Sequence, residues 1–209
     1  LLRYYDLFTG HGQNVWEQLY MQSMIFYVAI LFPVLISVVM TLVARIENAQ
    51  QGWRQYLSLP VKKGTVYVIK FVIACGLVFV NILALITSML IAGLILGVEG
   101  ALPYQSLIGR PLATYFAALP IMALLYVLSV RYSQMTLPLG IGIGLALPAM
   151  VVANSRYWLF YPWTYPIMAA LGGSMEVFSK GPLVYLTSII LLMVFFIGGL
   201  SCFSKGDIL

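Results

Sequence analysis

Five runs of this chain, residues 18–44, 71–98, 111–130, 132–155 and 181–204, contain no Asp, Glu, Lys, Arg or His. Each meets or exceeds the roughly 20 apolar residues a helix needs to cross a bilayer core. Lipid offers the backbone no water, so a run of that length must satisfy its own N–H and C=O groups as a helix. Composition points the same way: 62% of residues are hydrophobic and 8% charged, against roughly 25% charged in a soluble domain. The expected fold is all-α, a polytopic transmembrane helical bundle. It forms one domain over residues 1–209, with spans at 21–44, 70–97, 112–130, 133–154 and 183–203.

The opening residues, LLRYYDLFTGHGQNVWEQLY, lack the apolar core and small-residue cleavage site of a secretory signal. They read as a loop, 1–20. Cys75 and Cys202 both fall inside expected spans and read as buried, idle thiols.

Lys and Arg in short loops favour the cytoplasmic side. Alternate loops carry Arg45, Arg54, Lys62, Lys63, Lys70, Arg131 and Lys205 on one side, and Arg3, Arg110, Arg156 and Lys180 on the other. This bias places 45–70, Arg131 and the C-terminus in the cytoplasm of a bacterial membrane, and 1–20, 99–110 and 156–180 outside. Five crossings then leave the first residue outside without a signal. Parity leads to the expectation of one further helix upstream, six crossings in all.

The spans lack the ionisable groups by which ion-coupled carriers and pumps move charge; carbonyl-lined sites in broken helices stay open. Asn81, Thr87 and Ser88 read as interhelical hydrogen-bonding groups, with substrate contact as the alternative. In LPLGIGIGLALP (Leu137–Pro148), Gly140 and Gly144 have the spacing that admits a close helix neighbour. The uncharged stretch 157–173, YWLFYPWTYPIMAALGG, holds Pro162 and Pro166, which interrupt a helix, and a density of Trp and Tyr suited to the membrane interface. It reads as a re-entrant or interfacial hairpin on the outer face. It serves as an aromatic anchor or, with Trp158, Pro162, Trp163 and Tyr165, as an outer gate. His11, with Asp6 and Glu17 in the same loop, is too little for a zinc site or a catalytic triad. No catalytic residue, metal ligand or cofactor of its own is assigned to the chain.

One segment is conspicuously polar: RIENAQQGWRQYLSLPVKK, Arg45 to Lys63. On a helix over 46–59, Ile46, Ala49, Trp53 and Tyr56 or Leu57 share an apolar face, while Glu47, Asn48, Gln50, Gln51, Arg54 and Gln55 take the other. Such a helix lies along a membrane surface or docks into a partner's groove. Pro60 ends it.

The longer stretch ENAQQGWRQYLSLPVKKGTVYVIKF resembles the first cytoplasmic loop of ABC-2-type permeases, especially the lantibiotic and bacitracin immunity group. The match runs through Glu47, Gly52, Trp53, Arg54, Leu57, Ser58, Pro60 and Lys70. YPWTYP and the closing FSKGDIL, with Lys205 and Asp207, are similar to that group as well. The resemblance implies a coupling helix seated in a separate cytoplasmic ATPase. Glu47, Gly52, Trp53, Arg54, Leu57, Ser58 and Pro60 would then pass on motion driven by ATP and Mg bound in that partner. It further implies two permeases, identical or related, with two ATPases, exporting amphipathic antimicrobial peptides or hydrophobic drugs. An ATP-independent channel or carrier, a non-transporting membrane scaffold and an intramembrane enzyme are the competing classes.

Overall fold

A computed structural model of the chain describes residues 15–45, 63–98, 102–132, 134–173, 175, 178–179 and 181–205. The segment 46–59, with Glu47, Gly52, Trp53, Arg54, Leu57, Ser58 and, just beyond it, Pro60, lies outside the described residues, as do Asp6 and His11.

Among the described residues there is no strand. In chain order the helices are α1 (Val15–Arg45), α2 (Lys63–Ile95), α3 (Gln105–Arg131), α4 (Thr136–Ala146), α5 (Ala149–Ala153), α6 (Thr164–Leu171) and α7 (Leu183–Lys205), with a 3-10 turn at Arg156–Phe160 between α5 and α6. Helices α1, α2, α3 and α7 are long and apolar enough to cross a membrane. The chain is a polytopic helical bundle.

These helices overrun the charge-free runs that announced them. Helix α1 begins at Val15 rather than at 21, α2 at Lys63 rather than at 70, and α3 at Gln105 rather than at 112. A charge ends a hydrophobic run without ending a helix. The 33 residues of α2 extend about 50 Å at 1.5 Å per residue, well beyond a hydrocarbon core of about 30 Å. Lys70 can therefore lie in the helix and still reach the headgroups along its own methylenes.

The fourth expected span takes a different form. In place of one helix over 133–154 there are two pieces, the 11-residue α4 and the 5-residue α5, separated by a turn at Leu147 and Pro148. Proline has no N–H for the carbonyl four residues back, and its ring crowds that carbonyl. An 11-residue helix covers only about 16 Å.

Two other prolines are accommodated by widening the helix. The N–H of Phe32, just before Pro33, bonds the carbonyl of Tyr27, and the N–H of Arg110, just before Pro111, bonds that of Gln105. Each is an i to i−5 bond, a single π turn that relieves the proline ring while leaving the helix continuous.

Helix α3 is the hub and packs against α1, α2, α6 and α7. Its buried Thr114, Ala117, Ala118, Ala123 and Ser129 are small, so neighbouring backbones approach closely where lipid gives no hydrophobic drive to association. Hydrogen bonds cross the same seams. Tyr115 Oη donates to the carbonyl of Cys75 at 3.1 Å and Tyr126 Oη to that of Tyr67 at 3.2 Å. Thr41 Oγ1 and Ser129 Oγ lie 3.3 Å apart, both buried. Helix α2 buries Tyr67, Phe71, Ala74, Val78, Ile82, Ile86 and Met89 at three- and four-residue spacing; Ile69, Val72, Ile73, Leu77, Val80 and Leu83 face outward. An apolar outer face is what a lipid neighbour requires.

The close approach within α4 falls on a different glycine from the expected pair. A Cβ on Gly140 or Gly144 would meet nothing within 4 Å, whereas one on Gly142 would collide with the side chain of Ser37 and lie 3.2 Å from Leu125 Cδ1. Gly142→Ala is therefore expected to destabilise the folded protein by about 1–3 kcal/mol, the range for overpacking a filled site. Gly144→Ala should leave stability unchanged or raise it. Thermal unfolding of the detergent-solubilised protein, followed by tryptophan fluorescence, distinguishes the two.

Candidate functional site

Residues 146–173 pose a hydrogen-bonding problem. Three short helical pieces, with turns between them, sit beside long membrane helices, and each piece leaves carbonyls without an intrahelical donor. In water those carbonyls would be solvated; inside a membrane protein they need donors from the chain.

Aromatic and polar side chains donate to carbonyls along this segment, some of which, as at Trp158 and Tyr161, also accept a backbone N–H. Trp163 Nε1 donates to the carbonyl of Gly142 at 3.0 Å, and Tyr161 Oη donates to that of Leu145 at 2.5 Å, in the last turn of α4. Asn154 Nδ2 donates to Met150 O at 2.9 Å at the end of α5. Thr164 Oγ1 lies within bonding distance of two carbonyls, Trp158 at 3.0 Å and Tyr161 at 2.8 Å. Tyr165 Oη donates to the carbonyl of Leu159. Beyond the far end of the segment, Tyr20 Oη donates to Ala170 O at 2.7 Å, in the final turn of α6.

These bonds fix the path of the chain. Trp163 and Gly142 lie 21 residues apart in sequence yet are bonded, so α5 and the 3-10 turn form an excursion that leaves and returns to one place on α4. Tyr157 and Phe160 project from this excursion, 74% and 82% exposed. Helix α6 then carries the chain from the Gly142 contact to Tyr20, near the start of α1. All eight residues of α6 are buried, against α3, α1, α5 and α7. At about 12 Å it is too short to span a bilayer. It is a short helix held inside the protein.

Pro166 does not break it. As the third residue of α6, it occupies the first turn, where its missing N–H would have had no intrahelical acceptor.

Trp158, Pro162, Trp163 and Tyr165 come together in this segment. Pro162, Trp163 and Tyr165 are buried, and Trp158 is partly so. The Trp158 and Tyr165 rings meet edge to face at a centroid distance of 6.3 Å, and Tyr161 lies 5.9 Å from Trp163. Asn81 is elsewhere, accepting a hydrogen bond at Oδ1 from Tyr27 Oη across the α1–α2 seam. Thr87 and Ser88 donate to the carbonyls of Ala84 and Leu85 on their own helix at 2.9 and 2.8 Å, and both are exposed. Asn81 thus makes an interhelical contact, and Thr87 and Ser88 satisfy themselves locally.

The far end of α6 is gripped by residues that patterning did not single out. Arg110, near the start of α3, pairs with Glu17 of α1 at 3.4 Å. Its guanidinium carbon lies 5.5 Å from the ring centre of Tyr20. A Cβ on Gly173, two residues past α6, would come within 2.6 Å of Arg110 Nε. A cation beside the C-terminal end of a helix also interacts favourably with its carbonyl dipoles. Tyr20 and Arg110 thus close one end of α6 as Trp163 closes the other.

A separate groove of about 150 Å³ lies between α3 and α7, lined by Phe116, Leu119, Tyr185, Ser188, Ile189 and Leu192. Its lining is almost wholly apolar, suited to an alkyl chain or hydrophobic ring rather than an ion. Among the described residues no three His, Cys, Asp or Glu side chains are grouped to hold a metal.

Fold and site define a multi-pass helical membrane protein built around a broken helical segment. The family model described as ABC-2 family transporter protein matches residues 6–149. The match covers well over half of the chain, which belongs to the ABC-2 family of transporter proteins. It takes in α1 to α4 together with the polar stretch 45–63, and ends before α6. No curated protein matches the chain, and no solved structure does. The family assigns it a membrane transport role, and permeases of this family pair with an ABC ATPase.

Tyr161→Phe keeps the ring but removes the donor to Leu145 and should lower stability by about 1 kcal/mol. Trp163→Phe removes the donor to Gly142 and also shrinks a buried indole, so it should cost more. The two losses, on adjacent carbonyl caps, should be non-additive in a double-mutant cycle followed by thermal unfolding. Strict additivity would mean that the caps do not act on one unit.

Proposed function

We propose that this chain is the permease subunit of a bacterial ABC exporter. It works as one of two permeases, identical or related, with two cytoplasmic ATPases that bind ATP and Mg. The observation that carries the reading is the family match, which runs through the polar segment 45–63. That segment holds the Glu47, Gly52, Trp53, Arg54, Leu57, Ser58 and Pro60 pattern of a coupling helix. A permease whose charge-free runs hold no Asp, Glu, Lys, Arg or His needs its work delivered from outside, and a Trp-bearing amphipathic helix facing the cytoplasm is a suitable receiver.

The Arg45 and Arg131 end of the bundle faces the cytoplasm, in keeping with the positive-inside bias. The Arg110 end faces out. The substrates are amphipathic antimicrobial peptides or hydrophobic drugs withdrawn from the bilayer. The apolar groove between α3 and α7 favours this class over ions. The re-entrant segment, through Trp158, Pro162, Trp163 and Tyr165, forms the outer gate.

Gentle purification from the native host should recover an ATP-binding subunit in stoichiometric amount. Glu47→Ala combined with Arg54→Ala should reduce that recovery about tenfold or more, as expected when charged interface contacts are truncated. Recovery of no ATPase from mildly solubilised membranes would overturn the exporter reading and direct attention to partner-free transport.

A further inference from the structure

The Arg110 contacts differ in kind from those at the other end of α6. Trp163 and Tyr161 cap carbonyls with neutral donors, whereas the Arg110 end is closed by an ion pair, a ring contact and a backbone surface at once. The Arg110 side chain is 15% exposed and that of Glu17 43%, so the pair sits at the rim, shielded on one side and wet on the other. Its members come from α1 and α3, and what they hold is the exit of α6. Three helices and one loop therefore meet on a single guanidinium.

Arg110 lies against Gly173 and Tyr20, beside the last turn of α6. With Arg110 withdrawn, Gly173 would lose this neighbour, while Tyr20 Oη would still donate to the Ala170 carbonyl. A Cβ at 173 would fall within 2.7 Å of the guanidinium, so the end of the Arg110 side chain would have to move aside to admit it. The half-exposed carboxylate of Glu17 is the element open to solvent, and any cation reaching this rim competes with Arg110 for it.

We propose that Arg110 is a latch on the re-entrant helix: paired with Glu17 and packed on Gly173, it keeps this end of α6 shut, and its release opens the α6 exit to solvent. The latch rests on the exporter reading only for its place in a transport cycle. Its opening can be measured without ATPase or substrate.

The test uses the full-length chain with Cys75→Ala and Cys202→Ala, in open membrane fragments accessible from both faces. A reporter cysteine replaces Ala169, which is 9% exposed in α6; a control cysteine replaces Ala74, fully buried in α2. Labelling by a charged maleimide is followed over time. Arg110→Gln, Glu17→Gln and Gly173→Ala should each speed labelling at 169 by about tenfold or more, the scale of losing one charge-assisted contact, with no change at 74. Arg110→Lys keeps the charge but loses the flat stack and should fall between parent and Arg110→Gln. Gly173→Ala leaves both charges in place, so it decides the matter should Arg110→Gln fail to insert.

Unchanged labelling at 169 in Gly173→Ala and Glu17→Gln would overturn the latch. So would equal acceleration at 169 and 74, which reports general loosening. Neither result bears on whether an ATPase co-purifies, so the latch and the exporter reading fail separately.

Discussion

Every backbone carbonyl freed inside this bundle has to be met by the protein, and the architecture follows from how that is done. Long helices meet the demand internally. The segment between α4 and α7 is held instead by Tyr161, Trp163, Thr164, Tyr165 and Tyr20, whose side chains donate to carbonyls of α4, of the segment itself and of α6. Aromatic donors suit the task. A Tyr or Trp ring packs as an apolar body while its single polar atom reaches one acceptor, so the cap adds no further polar group that would itself need a partner.

The prolines show the same economy. Pro33 and Pro111 lie within spanning helices, where a lost hydrogen bond would face lipid, and each is preceded by a π turn that keeps the ladder continuous. Pro166 sits where no bond is due. Pro120 is carried inside α3 without a π turn, whereas at Pro148 the helix breaks, with aromatic side chains beside the break. The distribution separates prolines the bundle absorbs from one it uses to redirect the chain.

Much of this was legible in the residues. Five charge-free runs announce four spanning helices and a fifth apolar segment, and the prolines of YPWTYP announce the interruption between the 3-10 turn and α6. Helix ends were misplaced because Glu17, Lys70 and Arg110 stop a hydrophobic run without stopping hydrogen bonding. The break at Pro148 was hidden because uncharged residues 132–155 read alike whether the chain crosses or turns back. Gly142 was missed in favour of Gly140 and Gly144 because spacing reveals which glycines share a face, while the position of Ser37 decides which face is used. The Glu17–Arg110 pair joins residues 93 apart in sequence, and no local pattern links them.

Helix α6 is thereby supported at two ends that answer to different parts of the bundle. Its start is tied through Trp163 to α4, and its finish through Tyr20 and Arg110 to α1 and α3. A buried helix of eight residues cannot bend appreciably, so a displacement of α4 relative to α1 and α3 must be taken up at one end or the other. The α4 end offers the buried indole donor to Gly142 and, just ahead of α6, the Tyr161 donor to Leu145. The Arg110 end offers a rim-exposed ion pair, weakened by salt and by competing cations as the buried indole bond is not. The two attachments are therefore unequal in how they respond to what lies outside the protein. Movement between the halves of this bundle would register first where Arg110 meets Glu17.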